Sequence, residues 1–205
     1  MHSELSKELA KQILVIDTEA SGLDPLYHSI LSIGLCTLYK QREQNSTLVS
    51  DETHSEMGLE IFVNEVNIKT DPRAMAIHGI TLDFLEEKGH SPLDACLSFE
   101  KFISTHFTGP VILAGHNINF DISFMKRLYR VAERDWPKQI SHRVVDTHSL
   151  LWGLAFSQKI PKTACSSDGA FQFFDCAPPP ELRHSALGDA LATKDLLIKI
   201  LKQLG

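Results

Sequence analysis

Asp17 and Glu19 stand one residue apart in Ile-Leu-Val-Ile-Asp-Thr-Glu-Ala-Ser-Gly-Leu-Asp-Pro, residues 13–25. Successive side chains of a strand alternate between its faces, so positions 17 and 19 share one. Two carboxylates held ~5–7 Å apart repel unless a cation lies between them. The pair reads either as part of a metal site or as an unusual N-cap arrangement, and partners elsewhere must decide. Ser21-Gly22-Leu23-Asp24-Pro25 is turn chemistry that ends the strand. More acids close two other apolar runs: Asp121 follows Val111–Ala114, and Asp146 directly follows Arg143-Val-Val. His184 and Asp189 come near the end, in His-Ser-Ala-Leu-Gly-Asp. Side chains five apart on a helix project ~140° apart. The two share a site only if His184 stands on a loop or first turn while Asp189 lies inside the helix.

The elements that must position these groups follow from the hydrophobic pattern. Ile13–Ile16 is a strand buried on both faces. Residues 30–39 are β-rich, and 59–64 alternate, so three directly joined strands predict an antiparallel meander. The polar stretch 40–58 between them is a long, flexible turn. Asp71-Pro72 opens a short helix to about His78, and Thr81 caps another. Ser91-Pro92 opens a longer amphipathic helix, with Leu93, Leu97, Ile103 and Phe107 inward and Gly109-Pro110 as its stop. A strand at 111–114, a helix at 121–133, a strand at 143–146 and a helix at 147–157 follow. A compact helix spans 161–168, residues 169–181 form a flexible loop, and 184–203 make the last helix, with Leu187, Leu191, Ile198 and Leu201 apolar. Crossovers make the later strands parallel to the first. The result is an α/β fold: a mixed five-stranded sheet flanked by helices, in one domain over 1–205 with a polar segment at 1–12. In such sheets the carboxyl ends of parallel strands border the functional crevice, which would bring Asp121 near Asp17 and Glu19.

At 205 residues one well-buried core is affordable. No apolar run approaches the ~20 residues of a membrane span, and the polar start has no signal-peptide core, so a cytoplasmic protein is expected. Cys36, Cys96, Cys165 and Cys176 are scattered and read as reduced thiols. His2, His54 and His142 read as surface residues. The net charge of −6 excludes a protein that coats nucleic acid through a broad basic face. It does not exclude an enzyme that captures one chain end at a metal centre, where bound cations invert the local sign.

Asp-Thr-Glu-x-x-Gly-Leu at 17–23, His-Asn-x-x-Phe-Asp at 116–121 and His-Ser-Ala-Leu-x-Asp-Ala at 184–190 resemble the three motifs of the DEDDh, DnaQ-like superfamily of 3′–5′ exonucleases. That superfamily includes the proofreading subunit of bacterial DNA polymerase III and ribonuclease T. Each motif alone is weak, but all three in order are specific, and they span most of the chain. The resemblance implies a ribonuclease H-like fold and release of nucleoside 5′-monophosphates. It also implies two Mg²⁺ or Mn²⁺ ions, Asp17 bridging them and Glu19, Asp121 and Asp189 completing their shells. Such ions ~3.5–4 Å apart activate water and stabilise both the attacking and leaving oxygens. Imidazole, with an ordinary pKa near 6.5, suits His184 as general base.

The same resemblance makes Ala20, Ser21, Leu23, His78, Asn117 and Phe120 the candidate substrate contacts. Competing readings stand beside them. Leu23 is a wedge against the terminal base or a loop anchor. Phe120 stacks on a base or packs under Asp121. His116 and Asn117 serve the strand–helix turn more than the substrate, His78-Gly79-Ile80 is as well explained as a turn, and Asp146 is an N-cap or supporting acid rather than a metal ligand. Relatives often carry two threonines after the glutamate; Ala20-Ser21 replaces them, which leaves the handling of the terminal sugar open. The expected partners are single-stranded 3′ ends of DNA or RNA, with a second copy or a polymerase as protein partners to test, and no membrane. A catalytically silent binding module is disfavoured because all four acids and the histidine are present. A ribonuclease H-type endonuclease is disfavoured by the His-x₄-Asp spacing.

Overall fold

The alternation of the first strand decides where its carboxylates go. In a computed structural model, which describes residues 9–38 and 58–204, the strands are β1 (Ile13–Ala20), β2 (Ile30–Thr37), β3 (Leu59–Phe62), β4 (Val111–Gly115) and β5 (Ile140–Asp146). The helices are α1 (Pro72–His78), α2 (Leu82–Lys88), α3 (Pro92–His106), α4 (Asn119–Val131), α5 (Thr147–Phe156), α6 (Ser167–Phe173) and α7 (Ala186–Leu204). The sheet order is β3-β2-β1-β4-β5. β2 is antiparallel to β1 and β3, whereas β4 is parallel to β1 and β5. This is the mixed five-stranded arrangement expected from the sequence.

Leu14 and Ile16 face one core, packed with Phe99 and Ile103 of α3 and Phe124 and Leu128 of α4. Ile13 and Val15 face the other, with Ala190 and Leu197 of α7. By parity Asp17 and Glu19 continue the α7 side, and Thr18 continues the α4 side. α7 can reach the strands because β2 carries Gly34 where the helix begins. A Cβ on Gly34 would lie 2.1 Å from the Ala186 carbonyl oxygen. We expect Gly34→Ala to destabilise the protein by roughly 1–3 kcal/mol, the usual range for overpacking, read as a lowered melting temperature. Because the clash sits at the start of α7, activity should fall further than the stability loss accounts for.

Several boundaries differ from the sequence reading. On α3, Ile103 and the capping Phe107 are buried as expected, but Leu93 and Leu97 are exposed, and Ala95, Cys96 and Phe99 take the inward places instead. Apolar residues occur on both sides of the first turns of this helix, so periodicity alone did not choose between them. The span 161–168 is a 3₁₀ turn, Lys162–Cys165, followed by Ser166 capping α6. Most of the supposed loop at 169–181 is therefore ordered: Ala170, Phe171 and Phe174 are buried in a cluster with Leu151 and Leu196. β5 starts three residues earlier than read, α4 runs 119–131, and α7 starts after His184 rather than at it. On α7 the buried residues include Ala190, Thr193, Leu197 and Ile200, while Leu201 is exposed. The expected turn at 40–58 falls, but for its last residue, outside the described residues. Among the described residues, no helix is long and apolar enough to cross a membrane.

Candidate active site

One oxygen from each of Asp17, Glu19 and Asp189 lies within 4.8 Å of the other two. β1 supplies the first two from one face, and the first turn of α7 supplies the third. Asp121, in the first turn of α4, approaches from the other side of β1 and accepts a 2.8 Å hydrogen bond from the Thr18 hydroxyl. It lies outside the 4.8 Å set, although its charge is felt at Asp17.

Packing four acids here works against their ionisation. Burial pushes the Glu19 carboxyl up to about 8, with Asp189 adding to the rise and Arg183 opposing it. Asp17 is held well above the usual carboxylate range by burial, then by Asp121, Glu19 and Asp189. Asp121 is raised by burial against the opposing Thr18 hydroxyl, and Asp189 by burial against Arg183. Asp189 Oδ1 is buried with no hydrogen-bond partner. A buried acceptor left unpaired is costly, and hard oxygen donors at this spacing are what Mg²⁺ or Mn²⁺ takes. The donor set therefore fits a divalent cation.

His184 occupies the turn before α7 in the left-handed region, φ 64°. Ser185 fixes the turn: its hydroxyl donates to the Leu182 carbonyl at 2.8 Å and accepts from Gly188 N–H at 3.1 Å. With the turn held this way, His184 and Asp189 border one region despite their five-residue spacing. Arg183 pairs with Asp189 and, at 2.5 Å, with Asp168. The sequence reading missed Arg183, Asp168 and Thr18. The adjacency of Arg183 to His184 was the one available signal, because the partners of Thr18 and Asp168 are distant in sequence.

The family model described as Exonuclease matches residues 14–197. The chain belongs to this family. The exonuclease is 28% identical over 148 residues to the 3′-5′ DNA exonuclease Cap18 of Escherichia coli, covering 71% of each chain. It is 30% identical over 194 residues to ribonuclease T of Escherichia coli K12, covering 93% of this chain and 84% of that protein. In structure it resembles E. coli exonuclease I solved with a 5cy-dA13 oligonucleotide, with a TM-score of 0.67 at 13% identity. That match covers 93% of this chain but only 40% of exonuclease I, and it establishes the ribonuclease H-like fold alone.

Around the carboxylates of the exonuclease, the other candidates divide. Leu23 is 77% exposed on its turn, which removes the loop-anchor reading. Ala20 is buried and offers only its backbone. Ser21 departs from expectation: its buried hydroxyl donates to the Lys69 carbonyl at 2.6 Å and accepts from Ser29 N–H at 2.9 Å, so it is spent inside the fold. His78 lies with Phe62, Ile80, Phe84 and His184 around a cavity of about 370 Å³. Its Nδ1 accepts from Ile80 N–H at 3.0 Å, and burial lowers its pKa against the opposing hydrogen bond to the Ala20 backbone. Phe120 packs on Phe124 at 4.8 Å between ring centroids. Exposed Asn117 adopts φ 60° and donates its N–H to Asp146 at 2.8 Å. Asp146 is the N-cap of α5; burial works upward on it, but hydrogen bonds from Ser149 and Asn117 outweigh that and hold its carboxyl below the usual value. His116 contacts the Thr147 hydroxyl at 3.1 Å, and burial followed by His148 lowers its pKa to about 4. A wider cleft of about 620 Å³ beside Arg134 and Trp136 lies at the start of β5, the opposite end of the sheet, and its Glu100 is already paired with Arg134.

Proposed function

We propose that this exonuclease works as one domain on single-stranded 3′ ends, using two Mg²⁺ or Mn²⁺ ions to release nucleoside 5′-monophosphates. The observation that carries the reading is the convergence of Asp17, Glu19 and Asp189, with Asp189 Oδ1 buried and unpartnered, at the start of the helix that follows His184. Asp17, Glu19, Asp121 and Asp189 would hold the ions. When bound, such ions lower the pKa of water and neutralise charge on the scissile phosphate. His184 takes the proton of the attacking water and passes it to solvent through the open side of the cavity. The cavity of about 370 Å³ has the size of a small-molecule site, and in this reading it receives the terminal nucleoside. Phe62 and Phe84 then supply apolar contact, with the His78 ring beside them. Leu23, standing free at the rim, separates the last base from its neighbour.

The direct test uses single strands of RNA and DNA labelled at either end. A 5′ label should report stepwise shortening in Mg²⁺, a 3′ label should appear at once as mononucleotide, and a circular strand should stay intact. Cutting of the circle, or stepwise loss from the 5′ end, overturns the reading. Comparing the two sugars decides substrate preference, which Ala20 and the internally bonded Ser21 leave to groups beyond the first motif.

A further inference from the structure

We propose that Arg183 is the resident cation of the carboxylate cluster, a counter-ion that an incoming divalent ion displaces from Asp189 while Asp168 retains it. The inference rests on the reading that these carboxylates bind a divalent ion. The Arg183 guanidinium has two sets of partners at once. Nη1 donates to Asp189 Oδ2, inside the cluster. Nη2 and Nε donate to Asp168 Oδ1 at 2.5 and 3.2 Å, and the guanidinium lies 5.5 Å from the centre of the Phe171 ring. Asp168 and Phe171 both belong to α6, and the Asp168 side chain is 78% exposed, so this second set stands outside the buried acids.

Arginine stays charged at any working pH, so it leaves Asp189 by moving, not by losing a proton. Its charge opposes the rise in pKa at Asp17, Glu19 and Asp189 alike, as a cation lodged among them must. A guanidinium that relieves like-charge repulsion in the metal-free site also repels the dication that replaces it. Stability of the empty site and affinity for metal are therefore traded against each other. The receptor on α6 limits the conflict by offering the guanidinium somewhere else to go.

The test is Mn²⁺ titration of the full chain by calorimetry, with melting temperatures measured in chelator. Arg183→Gln should bind Mn²⁺ about tenfold more tightly, the effect of removing one nearby positive charge, and should melt lower when metal-free. Arg183→Lys, which keeps the charge, should bind close to the unmodified protein. Asp168→Asn removes the outside receptor and should weaken Mn²⁺ binding several-fold. A purely structural role for Arg183 would weaken binding in the Gln and Asn variants alike. Unchanged or weaker binding in Arg183→Gln, or a lysine variant as tight as the glutamine one, overturns the inference. Failure of the unmodified protein to bind Mn²⁺ overturns the reading beneath it instead.

Discussion

Asp17→Asn should cut metal-dependent hydrolysis on the order of 10⁴-fold, the scale of removing one member of a catalytic unit, while making the metal-free protein harder to unfold at pH 8. Both halves follow from the same geometry. Asp17 is the carboxylate that feels all three others, and burial adds to their repulsion. An amide of the same shape removes a cation ligand and removes the repulsion. The pH dependence has a definite sign. Glu19 titrates near 4.5 in an unfolded chain and near 8 in the folded one. Between those values the folded state holds more protons than the unfolded state, so stability falls as pH rises through the interval. Asp17, shifted the same way, adds to that fall. The unmodified protein in chelator should thus melt lower at pH 8 than at pH 5 through these groups, and Asp17→Asn should show a shallower drop. Mn²⁺ should reverse most of the loss in the unmodified protein and much less of it in the variant. A variant that melts lower than the unmodified protein in chelator at pH 8 would sink the electrostatic account, whatever its activity.

The same contrast explains which parts of the molecule could be read from sequence. The Asp17–Glu19 pair, its buried strand and the parallel strands behind it obey short-range rules. Period-2 alternation placed both acids on one face, and helix geometry put His184 on a loop or first turn if it was to share a site with Asp189, although the helix itself starts two residues later than read. The five strands were legible as short apolar or alternating runs, except that β5 begins earlier, through polar Ser141, His142 and Arg143. Phase and partnership were not. Leu93 and Leu97 share a spacing with the buried Ile103 and Phe107, yet they are exposed and Ala95, Cys96 and Phe99 face the core, and only the opposing sheet selects between such positions. The segment holding Phe171 and Phe174 has no clear period, and it is helical because its aromatic residues complete a cluster against α5 and α7. Ser21 looked available to a substrate because the Lys69 carbonyl and Ser29 N–H that hold its hydroxyl lie on separate loops outside the motif. Beyond its place next to His184, nothing in the sequence marked Arg183 as a site residue, since its role depends on Asp168 and Phe171 being brought beside it.

His184→Asn should lower the rate of nucleotide release about 10²–10⁴-fold, the range for losing a positioned general base, and leave Mn²⁺ affinity within about threefold of the unmodified protein. Asparagine is the replacement to use. Residue 184 sits at φ 64°, and asparagine tolerates the left-handed region where alanine would be strained. The turn, the Ser185 bonds that start α7 and the place of Asp189 are then preserved, so the rate change reports chemistry rather than a displaced ligand. The three-carboxylate set does not include His184, which is why metal affinity should hold. The decisive readout is the pH profile. Removing the imidazole should change the shape of that profile, and what is left is the dependence set by deprotonation of the acids, Glu19 near 8 among them. A variant that keeps the unmodified protein's profile would show that one of the raised carboxylates, not His184, takes the proton. Glu19, titrating near 8, would then be the group to replace next.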